Sequence, residues 1–143
     1  DEVIGFTDER GMSLLEHCLS SRKFDIAEYL LNNNARVNVV SKEGCNEFHY
    51  IASNINCEGA LKIAKILLER GTSLREKDIK YGNSAIYTLC HEILKVCSNE
   101  GLEFMKECLK NTKEFDDCNK RGFSIRTLIN ERGTEALKQL LIE

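Results

Sequence analysis

A chain of 143 residues, 42% apolar and 30% charged, is long enough to bury the core of one domain and too apolar for wholesale disorder. Its 20 basic and 23 acidic residues leave a formal charge of −3 with no block of like charge, which argues against nucleic acid as a partner. Apolar runs are only a few residues long, so no segment reads as membrane-spanning, and Asp1-Glu2-Val3-Ile4 lacks the basic start and long apolar stretch of a signal peptide. A chain that opens on Asp1 reads as a piece of a longer or trimmed protein. Seven cysteines, an odd number without a CxxC pair, fit reduced thiols, and so a cytoplasmic location, or a host-cell interior for a secreted effector.

In chain order, the first element opens at Gly11-Met12-Ser13. Ser13 suits a helix N-cap, because its hydroxyl accepts from a backbone N–H of the first turn, and Leu14, Leu15, Cys18 and Leu19 follow at helical spacing. A break at Ser20–Lys23 precedes a second helix through Phe24, Ile26, Ala27, Tyr29, Leu30 and Leu31. Asn32-Asn33-Asn34 ends it, since Asn tolerates the left-handed conformation. The same plan recurs at Gly44-Cys45-Asn46, Gly82-Asn83-Ser84 and Gly122-Phe123-Ser124, in steps of 33, 38 and 40 residues. Recurrence at that period marks stacked helix pairs.

The second and third units carry extra residues amounting to about one and two helical turns. Apolar positions at Phe48, Ile51, Ala52 and Ile55, and at Ile86, Leu89, Cys90, Ile93 and Cys97, predict that the extra residues lengthen the first helix. Those helices are expected to end at Asn56–Gly59 and Ser98–Gly101.

Asp8-Glu9-Arg10-Gly11, Leu30-Leu31 and Asn34-Ala35-Arg36-Val37-Asn38 together resemble an ankyrin repeat, matching its Asp-x-x-Gly opening, paired leucines and Gly-Ala-Asp-Val-Asn close. The second unit keeps His49 at the histidine of the Thr-Pro-Leu-His motif and Leu67-Leu68-Glu69-Arg70-Gly71 at its end. The resemblance implies an all-α solenoid of stacked antiparallel helix pairs with short β-turn fingers. It would be one domain, 1–143, with repeats at about 8–40, 41–78, 79–118 and 119–143. All four copies of the motif lack proline, so each helix start leans on its Ser or Asn cap, worth about 1 kcal/mol apiece. Arg126 stands where a buried leucine is expected. The fourth repeat reads as a C-terminal cap with Glu131, Arg132, Glu135, Lys138 and Gln139 facing water.

The resemblance further implies a non-enzymatic, monomeric module that binds a protein partner, without nucleic acid, membrane, metal or cofactor. Partners of this family sit against the fingers and the concave face. The candidate contacts are Arg10, Met12, Lys42, Glu43, Cys45, Lys80, Tyr81, Lys120, Arg121 and Phe123, with the residues after each glycine pointing to one side. Tyr81 and Phe123 weigh most, as exposed aromatics often anchor interfaces. An alternative is a dedicated inhibitor, immunity or effector protein that uses the lengthened helices, around Asn54–Gly59 and Val96–Leu102.

A Cys45–His49 nucleophilic pair has no orienting carboxylate or oxyanion hole, and the resemblance gives His49 a structural role between repeats. Cys90 and Cys97 lie too far apart on one helix to share a small tetrahedral ion without further ligands. Cys18, Cys90 and Cys108 read as small apolar core residues, and His17 and His91 as polar-face residues.

Overall fold

The computed structural model describes residues 7–142, so the N-terminal stretch read above for a signal peptide lies outside the described residues. Among the described residues eight helices occur in four pairs: α1 (Leu14–Ser20) with α2 (Phe24–Asn32), α3 (Glu47–Ala52) with α4 (Ala60–Glu69), α5 (Ala85–Val96) with α6 (Asn99–Thr112), and α7 (Ile125–Arg132) with α8 (Glu135–Leu140). No strand forms among the described residues, which hold only isolated bridges between Thr7 and Ser13 and between Lys77 and Ser84. None of these helices is long and apolar enough to cross a membrane.

Each first helix starts where the local chemistry dictates. The side chains of Ser13, Asn46, Ser84 and Ser124 accept from the backbone N–H three residues on. At Glu16, His49 and Thr127 that third residue reaches back to the cap's own N–H, which satisfies a second orphan donor. Asn34 takes φ 63° just beyond α2, as its short amide side chain permits.

The first helices pack in a row, α1 on α3, α3 on α5 and α5 on α7, each also packing on its own pair mate. One continuous core results, with Leu15 and Leu19, then Phe48 and Ile51, then Ile86, Leu89 and Ile93, then Leu128 and Ile129. Burying each such side chain contributes about 1.5–3 kcal/mol. Phe48 of α3 stacks on Phe104 of α6, ring centroids 6.4 Å apart, and so joins the second pair to the third.

Polar groups also cross between pairs. The Arg70 guanidinium donates to the carbonyls of Leu31 (3.0 Å) and Ala35 (2.8 Å), closing the end of α2 from the next pair. Buried Glu47 accepts from the N–H groups of Asn38 (2.7 Å) and Val39 (2.8 Å). Arg75 donates to Thr112 at the end of α6 (2.9 Å). The two arginines satisfy carbonyls at or just past helix C-termini, and Glu47 satisfies two amides of the loop that follows α2.

Two expected helix extensions come out differently. α3 stops at Ala52, and residues 53–59 run as tight turns, with Asn54 N–H to Ile51, Ile55 to Ala52 and Cys57 to Asn54. Ile55 is buried nonetheless, because a short-period turn sets it down on the same apolar side as a helix would. Asn54 diverts the chain by donating its amide to the Leu19 carbonyl (3.0 Å) of the preceding pair. In the third pair α5 is long, as expected, but ends at Val96. Cys97 turns left-handed at φ 58°, and Ser98 caps α6, so Asn99–Gly101 belong to the second helix.

The C-terminal pair exposes Glu131, Arg132, Glu135 and Gln139, with Lys138 half-buried. Arg126 escapes the core by pairing with Asp116, Nε to Oδ1 at 2.6 Å.

Candidate functional site

Four turns project ahead of the first helices, and each closes on itself. The N–H of Asp8, Ser41, Asp78 and Asn119 donates to the carbonyl of Met12, Cys45, Asn83 and Phe123 respectively, at 2.8–3.0 Å. Within three of them the Asp or Asn side chain accepts from backbone amides of its own turn: Asp8 from Arg10 and Met12, Asp78 from Tyr81 and Asn83, Asn119 from Arg121 and Phe123. Such short-range bonds fix a turn without a core of its own.

The turns are also linked in series. Lys42 N–H donates to the Arg10 carbonyl (2.8 Å), Ile79 to Glu43 (2.8 Å) and Lys120 to Tyr81 (3.0 Å). In every case the acceptor is the residue just before the turn glycine. Gly11, Gly44, Gly82 and Gly122 all adopt positive φ. At Gly44 the approach is closest, since a Cβ would lie 2.7 Å from the Lys77 carbonyl oxygen of the next turn. Gly122 has no atom within 4 Å of that position, as no described turn follows it.

His49 ties the scaffold beneath the edge. Its Nδ1 accepts from the Asn46 N–H (3.3 Å) and its Nε2 donates to the Asn83 carbonyl (3.1 Å), so the neutral Nε2–H tautomer satisfies both. Burial holds its pKa below the ordinary histidine value. Cys45, the residue before the Asn46 cap, is half-buried, and burial drives its thiol up to about 12, which leaves it a poor nucleophile.

The candidate contact residues therefore divide. Arg10 and Glu43 form an ion pair with each other. Met12 is only 2% exposed, a correction to its expected outward position: its own turn folds over it, and the next turn packs against Gly11. Cys45 is likewise set inward. Lys42, Lys80 and Lys120 lie exposed on the turns. Tyr81, Arg121 and Phe123 come together around an open groove of about 480 Å³, bounded by the third and fourth turns and by α5 and α7.

Tyr81 is 48% exposed and Phe123 43%. Lys80 Nζ sits 5.0 Å from the Tyr81 ring centroid, and the Arg121 guanidinium 5.7 Å from that of Phe123. On the helical side Tyr87 stacks on His91, centroids 6.2 Å apart, and Leu128, Glu131 and Arg132 complete the wall. Asn119 Nδ2 donates to Asn83 Oδ1 (2.8 Å) across the floor.

Tyr87, Glu131 and Arg132 were not among the expected contacts. One signal for Tyr87 was present: it holds the third helical position, where Glu16, His49 and Thr127 return to their caps. A phenol ring has no atom placed to do so, and the ring turns into the groove instead. Among the described residues no three His, Cys, Asp or Glu side chains converge as metal ligands. No protein-family model matches the chain, and no curated protein matches it closely enough to indicate kinship.

Proposed function

We infer that this chain is an ankyrin-repeat type solenoid acting as a non-enzymatic protein-binding module, whose contact surface is the edge of linked turns and the groove at its C-terminal end. The observation that carries this reading is the series of backbone bonds from Lys42 to Arg10, Ile79 to Glu43 and Lys120 to Tyr81. A row of turns fixed at every step presents its side chains with little ordering cost on binding. Exposed Tyr81 and Phe123 supply rigid aromatic area of the kind that anchors interfaces.

The test is crosslinking capture from native lysate with the intact chain and with a Tyr81→Ala, Phe123→Ala double variant of unchanged circular dichroism. Proteins held by the intact chain and lost by the variant are the expected result. An identical captured set would contradict the assignment.

One feature favours the inhibitor or effector variant of this reading. α5 and α6 are the longest helices described, and their junction leaves Val96 60% exposed in a groove shared with residues 55–59 of the second pair. Replacing Val96 by Asp separates the two: an inhibitor acting through this junction loses its target, while a turn-edge binder keeps its partner.

A further inference from the structure

We propose that the segment bound in the Tyr81–Phe123 groove is an acidic peptide stretch of a partner protein, with carboxylates that meet Arg121 and Arg132 and an apolar side chain that rests on Tyr87 and Leu128. This rests on the protein-binding reading above and adds the chemistry of the partner.

The charge pattern along the edge carries it. Arg10 of the first turn is neutralised by Glu43 of the second, and Lys77, at the start of the third, reaches Asp117 beside the fourth at 2.7 Å. Around the groove the cations are left unpaired. Lys80, Lys120, Arg121 and Arg132 have no carboxylate within 4 Å among the described residues. Among the described residues Glu131 is the only carboxylate lining the groove. A protein of net charge −3 thus gathers a local cationic excess at the groove that holds Tyr81, Tyr87 and Phe123.

Two of those cations are held over the rings of Tyr81 and Phe123, which keeps them at the groove and not swung out into water. A guanidinium so placed makes charge-assisted, bidentate bonds to a carboxylate. Leu128 and the Tyr87 ring add apolar surface to the groove lining, so the fitting segment alternates acidic with apolar residues. A long polyanion such as RNA fits less well, because it would need a run of cations that the rest of this acidic surface does not extend.

The experiment is selection of short random peptides displayed on phage against the whole chain, followed by titration of the winning sequences. The expected winners are enriched in Asp and Glu next to Leu, Ile or Phe. Their affinity should fall at least about tenfold in an Arg121→Glu, Arg132→Gln variant, and also as salt rises from about 50 to about 300 mM. A Lys65→Glu, Lys110→Gln control makes the same charge change away from the groove and should bind as the parent does. Winners that are neutral or basic, or acidic winners indifferent to the arginine variant, overturn the acidic-peptide inference and leave the protein-binding reading standing. No peptide retained above a helical control protein, with a short RNA bound at the groove instead, overturns both.

Discussion

The Nε2 of His49 donates to the carbonyl oxygen of Asn83 at 3.1 Å, so a side chain on the second first-helix holds the turn that precedes the third. The other ring nitrogen accepts from the cap residue of its own helix, and one imidazole thereby closes a helix start and a contact between pairs. His49→Ala leaves the Asn46 N–H without its partner, removes one of the two donors to the Asn83 carbonyl, which keeps the Asp78 N–H, and opens a void. One unpaired amide, one weakened carbonyl and the void together predict a destabilisation of about 1–3 kcal/mol, measured by urea denaturation at neutral pH. A change below a few tenths would show that the bridge contributes nothing.

Glu16 is buried with one oxygen held by the Ser13 N–H (3.0 Å) and the other unpartnered. Burial raises its pKa from the ordinary 4.5 to about 8. A carboxyl that binds its proton more tightly when folded stabilises the fold fully below pH 4.5 and loses that contribution as pH rises toward 8. Glu16→Gln removes this titration. The stability difference between variant and parent should therefore shift in favour of the variant between pH 5 and pH 8.5, by up to about 1.4 kcal/mol for each pH unit inside the window. Melts at both pH values check it, and a pH-independent difference would refute it. Comparing variant with parent cancels His49, whose lowered pKa acts in the opposite sense and weakens the fold as pH falls below 6.5.

Gly44 and Gly122 share a positive φ but not their surroundings. Alanine at Gly122 meets only the left-handed strain, about 1–2 kcal/mol. At Gly44 the added Cβ also strikes the Lys77 carbonyl, so Gly44→Ala should cost clearly more and loosen the second turn from the third. Equal costs, read from denaturant midpoints, would mean that the turns do not pack as described.

The cysteines divide by burial. Cys97 and Cys118 are exposed, whereas Cys18, Cys90 and Cys108 are buried, with Cys108 raised to about 12 by burial and Cys90 raised further in the same direction. A colorimetric thiol reagent should label Cys97 and Cys118 fast in the folded protein and the three buried thiols only on unfolding. Fast labelling of Cys90 would contradict the core.

These contrasts show how far the residues alone could lead. Helix starts were legible because a Ser or Asn after Gly-x acts within four residues of itself, and the same locality made Asn34 readable as a left-handed stop. Helix ends were harder. Ile51 and Ile55 satisfy a helix and a run of tight turns equally, and only the distant Leu19 carbonyl, which captures Asn54, decides between them. Exposure of the residue after each glycine was also invisible locally. Met12 and Phe123 occupy equivalent places, yet one has a following turn against it and the other does not. The groove needed side chains from two turns and two helices to converge, a non-local fact for which Tyr87 gave the only early hint.

The central claim is that the turns form one linked edge, and amide hydrogen exchange followed by NMR tests it most directly. The N–H groups of Lys42, Ile79 and Lys120 sit in exposed turns, where unbonded amides exchange at their intrinsic rates. The linked edge predicts that these three are protected at least about tenfold, and that Gly44→Ala lowers the protection of Ile79 before that of the core helices. Exchange of all three at the intrinsic rate would mean that the turns stand apart, and the binding edge with them would be lost.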